Sequence, residues 1–472
     1  EKIAATLKEL REERDTVVER VARAALGLLA FVGLAAGARH WWAASDGAIP
    51  LLSLTYVETF GSRAPDGEPL AIIRLGVDEI NAIPLAVLPL IVLTAVVTSR
   101  NVVAARRAGD VCAWCLALCF GSVALLAQDV VSFLVGTMGT GLVLTWILGR
   151  SGLPAARKIA LQYASFQAAG VGLVAMAASA LVACQSLMHG APRSAPGGAA
   201  LSFHALSAGL AEIAATHPVA AQIESQLVPI ALLPLLLGTA LLGAIFPLQG
   251  WFGGIYVSAP TSVRVWLSLV TSAISGSLWI RLVLPLADRA WGGWPQWGIP
   301  WLCCGLLLVA LTSANANSAG RVLAGAVLFV NHLLLLAIMV EPAGALTSLW
   351  MSAWLPMGAA IGCGLASADR LATSTSSEPG GDGRSSPGSL WLLFVSGTAC
   401  LVPASVALLT RSMVVRLILG GMLGSGLLLL LAIMVWTFVV VWWVWQIRGR
   451  PERAEATEPF RRTGEWDRWG SA

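Results

Sequence analysis

The chain has 472 residues, of which 57% are hydrophobic and 12% are charged, and its net charge is +4. This composition excludes a soluble globular protein, and we expect no nucleic-acid partner. Apolar runs long enough to cross a bilayer recur along the chain. The sequence therefore predicts an all-α polytopic membrane protein.

The apolar runs predict about twelve transmembrane helices of roughly 20 residues each, because a bilayer core is about 30 Å thick. They lie at 22–42, 80–98, 108–128, 129–149, 157–184, 227–250, 262–287, 298–314, 320–340, 343–368, 390–410 and 416–446. Lysine and arginine concentrate before the first run, after the second and fourth runs, and in the tail. Positive residues are retained in the cytoplasm, so we expect both termini on the cytoplasmic side of a bacterial inner membrane.

The predicted helices divide the chain into five parts. In the first part, charged and apolar residues alternate at helical spacing, which predicts a cytoplasmic amphipathic helix. The parts are this helix at 1–21, a helix pair at 22–107 with an outer loop at 43–79, a first five-helix repeat at 108–287, a second at 288–446 with a cytoplasmic linker at 373–389, and a cytoplasmic tail at 447–472.

Residues 227–288 contain two long apolar runs joined by a loop rich in glycine, proline and tryptophan. Gly243 and Pro247 predict that the first helix is interrupted, because proline removes a backbone donor and clashes with the preceding turn. Gly397 and Pro403 predict a second broken helix, at the matching fourth position of the next unit. Two five-helix units with matching breaks indicate inverted repeats.

Five segments between residues 76 and 332 resemble the antiporter-like M subunit family of respiratory complex I, the NADH:quinone oxidoreductase. Their order and spacing make the resemblance specific. The segments are Gly76–Asn81 (GVDEIN), Ala155–Tyr163 (AARKIALQY), Ser202–Leu206 (SFHAL), Phe246–Trp251 with Ala259–Thr261 (FPLQGW and APT), and Val330–His332 (VNH). The resemblance implies two inverted five-helix repeats.

The resemblance also implies a proton route of glutamate and lysine, from which the chain departs. Leu242 stands where the family has its pumping lysine, and Ala273 where the next helix has a lysine. Thr137 or Met138 takes the place of the glutamate. Leucine and alanine cannot take up a proton, so the sequence predicts a degraded route in the first repeat.

Three titratable residues remain candidates for a proton path. His332 matches the family's relay histidine, and an ionisable residue inside a membrane is a functional candidate because its burial is costly. A packed, hydrogen-bonded histidine is the alternative. Lys158 could enter the membrane or anchor the helix end beside Arg157. Glu341 precedes Pro342 at a helix end, where an interfacial residue is the alternative.

Two functions remain open from the sequence. The first is a largely structural membrane-arm subunit of a complex-I-like assembly, packed against other integral membrane subunits. The second is a proton- or cation-translocating subunit of a respiratory pump, a sodium/proton antiporter module or an inorganic-carbon uptake complex.

Cys112, Cys115 and Cys119 share a helical face, and we interpret them as apolar packing residues rather than metal ligands. No nucleotide or nucleophile motif indicates catalysis by the chain itself, and we expect no cofactor.

Overall fold

The computed structural model describes residues 58–60, 73–76, 81–98, 107–151, 155–188, 201–216, 218–316, 319–340, 414–415 and 417–448. Several predicted features lie outside the described residues. These are the amphipathic helix at 1–21, the spans at 22–42, 343–368 and 390–410, the linker at 373–389, and the residues Glu341, Gly397 and Pro403.

Most of the described residues form α-helices, because a backbone inside a bilayer must satisfy its own hydrogen bonds. In chain order the helices are α1 (Ala82–Thr98), α2 (Arg107–Leu126), α3 (Val130–Arg150), α4 (Ala156–Met188), α5 (Leu210–Thr216), α6 (Pro218–Leu242), α7 (Gly250–Ser258), α8 (Thr261–Leu278), α9 (Leu284–Trp291), α10 (Trp294–Ala314), α11 (Ala319–Val340) and α12 (Leu423–Arg448). A π-helical turn at Ala205–Gly209 precedes α5, and a second at Trp279–Val283 joins α8 to α9.

Within the described part of the chain, seven helical segments are long and apolar enough to cross a membrane. They correspond to α2, α3, α4, α6, the continuous α8–α9 helix, α10 and α11. The prediction of a helical, polytopic membrane protein is confirmed. The helix that we predicted to begin at residue 227 begins at Pro218, because proline suits the first turn of a helix and the polar residues after it form the helix end.

α8 occupies the centre of the bundle, in contact with α1, α2, α3, α6, α7 and α11. Most of its side chains are buried, as expected for a helix surrounded by other helices. Trp266 of α8 packs on Trp114 of α2, with ring centroids 5.8 Å apart. The Trp266 ring also lies against Gly121, where an added Cβ would come within 3.1 Å. The bundle is therefore closely packed around α8.

A short layer of extended chain covers one end of α2 and α3. It contains β2 (Ile73–Leu75), which pairs antiparallel with β1 (Glu58–Phe60). The N–H of Gly76 donates to the Leu126 carbonyl oxygen at 2.8 Å. The N–H of Gln128 donates to the Arg74 carbonyl oxygen at 2.9 Å. On the other side, the N–H of Phe203 donates to the Gln128 carbonyl oxygen at 3.1 Å. This layer joins three distant parts of the sequence.

Asp129 holds the layer to the start of α3. Its side chain is 2% exposed and caps the helix by accepting from the N–H of Ser132 at 2.8 Å. The same carboxylate accepts from the N–H of Arg74 at 2.7 Å. The buried guanidinium of Arg281 donates to the neighbouring Ala127 carbonyl oxygen. The Asp129 carboxylate and the Arg281 guanidinium thus hold this end of the bundle through hydrogen bonds to the backbone.

Candidate functional site

α6 ends at Leu242 among buried residues, and α7 begins only at Gly250. We call residues 243–249, which connect α6 to α7, the break. Ala244 has a φ of 51°, and the Phe246–Pro247 peptide bond is cis. By contrast, α6 continues through two internal prolines without interruption, so the helix ends where Gly243 and Ala244 turn the chain.

The break frees backbone groups that need partners, because an unpaired N–H or C=O away from water is costly. The N–H of Gly243 donates to the Thr239 carbonyl oxygen at 2.9 Å, and that of Ile245 donates to Ala240 at 2.8 Å. The hydroxyl of Ser275 on α8 also donates to the Thr239 carbonyl oxygen, at 3.1 Å. The central helix therefore supports the end of α6 directly.

His332 of α11 holds the break from the other side. Its side chain is fully buried, and its Nε2 accepts a hydrogen bond from the N–H of Phe246 at 2.8 Å. Its Nδ1 lies 2.7 Å from the Leu328 carbonyl oxygen. A carbonyl oxygen can only accept, so Nδ1 carries the proton and Nε2 carries none. Both nitrogens of a neutral imidazole are thus engaged, and we call His332, Phe246 and Leu328 the histidine clamp.

Two glycines make room for these contacts. A Cβ on Gly305 of α10 would lie 2.7 Å from Cδ2 of His332 and 2.8 Å from Cβ of Phe246. A Cβ on Gly243 would lie 2.3 Å from Oγ of Ser275. All three distances are shorter than real Cβ contacts. Neighbouring helices therefore approach the break as closely as backbone allows.

Leu242 and Ala273, where the resemblance implies lysines, are 2% and 3% exposed. Leu242 packs on Gly170 of α4, where an added Cβ would lie 2.8 Å from Cδ2 of the leucine. One turn earlier on α6, a Cβ on Gly238 would lie 2.9 Å from the Gly170 carbonyl oxygen. α4 and α6 thus enclose an apolar side chain at this position.

Lys158 lies in the first turn of α4 and is exposed. Gly170, which contacts Leu242, is about 18 Å further along the same helix at 1.5 Å per residue. The structure therefore brings His332 to the break and places Lys158 at the level of a helix end. Glu341 lies outside the described residues.

Several buried side-chain polar atoms have no hydrogen-bond partner among the described residues, and two of them lie at positions that bear on a proton path. One is Oγ1 of Thr137 on α3, and the other is Oδ1 of Asn331, next to His332 in the sequence. Thr137 is 4% exposed, whereas Met138, the other position aligned with the family's glutamate, is 37% exposed. Buried polar atoms of this kind are sites for ordered water.

Sequence reasoning did not identify Ser275, Gly305 or Trp301 as neighbours of the break. Trp301 of α10 places its ring 6.3 Å from that of Phe246. Each of these residues meets the break from another helix. No local sequence signal distinguishes them from other small or aromatic residues of membrane helices.

A bundle of membrane helices around a buried broken helix is an architecture found in membrane transport proteins. No protein-family profile and no curated protein matches the chain. A chain of the Mrp complex from Dietzia sp. DQ12-45-1b superposes with a TM-score of 0.67 at 16% sequence identity, over 93% of this chain and 76% of that chain.

Two further solved structures lead to the same class. A chain of the membrane-bound sulfane sulfur reductase, an archaeal respiratory membrane complex, has a TM-score of 0.64 at 17% identity, over 94% of this chain and 87% of that chain. A chain of respiratory complex I from Thermus thermophilus with bound NADH has a TM-score of 0.59 at 17% identity, over 90% and 86% of the two chains. The chain has the fold of the antiporter-like membrane subunits, and the predicted resemblance is confirmed for the fold.

Proposed function

We propose that the chain is a membrane-arm subunit of a complex-I-like assembly, with a degraded proton route and a largely structural role. The observation that carries the proposal is the histidine clamp. His332 uses both ring nitrogens to hold the peptide backbone of the break and a turn of its own helix. A second N–H proton on this ring would abolish the bond from Phe246, because a protonated Nε2 cannot accept.

The apolar residues beside the break support the same proposal. Leu242 and Ala273 are packed in the bundle at positions where a proton carrier would need a titratable group. The proposed architecture is about twelve spans in two inverted five-helix repeats, with a second break at Gly397 and Pro403. In this arrangement, the exposed apolar faces of outer helices such as α4 and α12 contact lipid or other integral membrane subunits.

One observation favours the alternative, a proton- or cation-translocating subunit. Thr137 and Asn331 present buried oxygen atoms that lack partners in the described part of the chain. Water at these two atoms could extend a path past the missing lysines. Such a path would use His332 or Lys158 as its titratable group, and it would make the protein an active transporter.

The two functions predict different results for His332→Gln. The glutamine amide oxygen accepts the Phe246 N–H but does not titrate. Under the structural function, the complex that contains this variant pumps protons at the wild-type rate, measured in proteoliposomes with a pH-sensitive dye. A loss of pumping in a fully assembled complex would establish the alternative. Lys158→Gln, which removes the other candidate titratable group, is measured in the same way. The complex is purified through a tag on this chain in mild detergent, which also identifies the partner subunits.

A further inference from the structure

A cavity of about 440 Å³ lies between α5, α6 and α9, away from the residues of the break. Two charged side chains enter it, Glu224 from α6 and Arg289 from α9. Small apolar side chains form most of the remaining wall. They are Ala214, Ala215, Ala221, Val228 and Ala290.

The two charged side chains are close but incompletely satisfied by each other. Oε1 of Glu224 lies 3.8 Å from a terminal guanidinium nitrogen of Arg289, which is within ion-pair distance and too long for a hydrogen bond. The same nitrogen donates to the Ser207 carbonyl oxygen at 2.9 Å, which fixes the guanidinium in place. Oε1 is buried and has no hydrogen-bond partner in the part of the chain that the structure describes. The Glu224 side chain as a whole is 19% exposed, so the cavity presents the accessible part of a carboxylate beside a fixed cation.

The position of the cavity matches the level of lipid headgroups. Glu224 lies in the second turn of α6, and Arg289 lies two residues before the end of α9. Both helices belong to segments long and apolar enough to cross a membrane. Trp297 follows in the next helix and is 74% exposed, as tryptophan is at a membrane boundary. A ligand in this cavity would have its polar atoms at the membrane surface.

We propose that the cavity binds the headgroup of an ethanolamine phospholipid. The ammonium group donates to the accessible part of the Glu224 carboxylate, and the phosphate accepts from the remaining N–H groups of Arg289. The two methylene groups between them lie against the alanine wall. A choline headgroup has no N–H to donate, and a glycerol headgroup carries no positive charge. The site therefore selects the ethanolamine headgroup over both.

The test measures lipid binding to the delipidated full chain in detergent by native mass spectrometry. The probes are phosphatidylethanolamine, its singly and doubly N-methylated forms, phosphatidylcholine and phosphatidylglycerol. Phosphatidylethanolamine is expected to bind about tenfold more tightly than phosphatidylcholine, because one charge-assisted hydrogen bond distinguishes them. Equal binding of these two lipids by the wild-type chain would overturn the proposal, and this comparison does not depend on any variant folding.

Variants then locate the site. Glu224→Gln and Arg289→Gln should each remove the preference for phosphatidylethanolamine, whereas Glu212→Gln, at an exposed carboxylate of α5, should keep it. A preference that survives both of the first two substitutions would place the lipid elsewhere and refute the assignment. Soluble phosphoethanolamine is added as a competitor, and displacement of the lipid at equal concentration would show that the ligand is not a lipid. These outcomes are independent of proton translocation by the chain.

Discussion

Substitution of His332 tests the histidine clamp through stability. Replacing His332 with alanine leaves the buried N–H of Phe246 without an acceptor, which costs about 1–3 kcal/mol. The vacated ring leaves a cavity that costs about 2 kcal/mol more. The sum, about 3–5 kcal/mol, lowers the ratio of folded to unfolded protein at least a hundredfold, at about 1.4 kcal/mol for each factor of ten.

Two further substitutions separate the terms. His332→Leu fills the space without an acceptor and should lose only the hydrogen-bond term. His332→Gln restores an acceptor for Phe246 and should recover most of the stability. The free energy of unfolding is measured in detergent by denaturant titration with far-UV circular dichroism. His204→Ala, at an exposed histidine, is the matched control and should unfold like the wild type. The clamp would be refuted if leucine matched the wild type, or if glutamine were as destabilising as alanine.

Two other substitutions address the break and the end of the bundle. Gly243→Ala places a Cβ 2.3 Å from Oγ of Ser275 and should cost about 1–3 kcal/mol of stability. Ser275→Gly should relieve part of that loss in the double variant, and additive losses in a double-mutant cycle would contradict the contact. Asp129→Ala removes a helix cap and leaves the N–H of Arg74 without an acceptor. We therefore expect the free energy of unfolding to fall by about 2–4 kcal/mol. Asp129→Asn keeps acceptor capacity and should lose less, so equal losses in thermal unfolding would contradict the capping role.

The membrane class and the fold of the protein were predictable because their causes are local. Apolar runs of bilayer length give spanning helices wherever they occur in the sequence. The end of α6 was placed close to Gly243 and Pro247, and the structure ends this helix at Leu242. Pro229 and Pro234 lie within the helix without ending it. Internal prolines are tolerated in membrane helices because neighbouring groups satisfy the freed backbone.

The partners of the break were not predictable from the sequence. Phe246 and His332 are separated by 86 residues, and their contact depends on how α7, α10 and α11 pack. The resemblance drew attention to His332 as a proton carrier, whereas its geometry is that of a backbone clamp. Both roles require a buried histidine, so the residue type alone cannot distinguish them. The hydrogen bonds of its two ring nitrogens support the structural role that we propose, and proton pumping by the His332→Gln variant tests it.

The start of α6 illustrates a different difficulty. Polar residues such as Glu224 led us to place the start of this span at residue 227. In the structure, Pro218 and the residues after it form the first turns of the spanning helix. Charged side chains are compatible with a helix end because they reach the membrane surface, so a hydropathy threshold shortens the helix. The longer α6 carries Glu224 and Ala221, which line the cavity between α6 and α9. The sequence did not suggest this cavity.

The π-helical turn between α8 and α9 determines in which direction the side chains of α9 point relative to those of α8. An α-helix advances roughly 100° per residue, and a π-helical turn accommodates one residue more than an α-helical turn. Before the turn, Ser275 faces the break; after it, Arg289 faces Glu224. Deleting one residue from Trp279–Val283 would rotate Arg289 by about a quarter of the helix circumference while leaving Ser275 in place. The extra residue of the π-helical turn thus directs Ser275 toward the break and Arg289 toward Glu224, although both belong to one continuous helix.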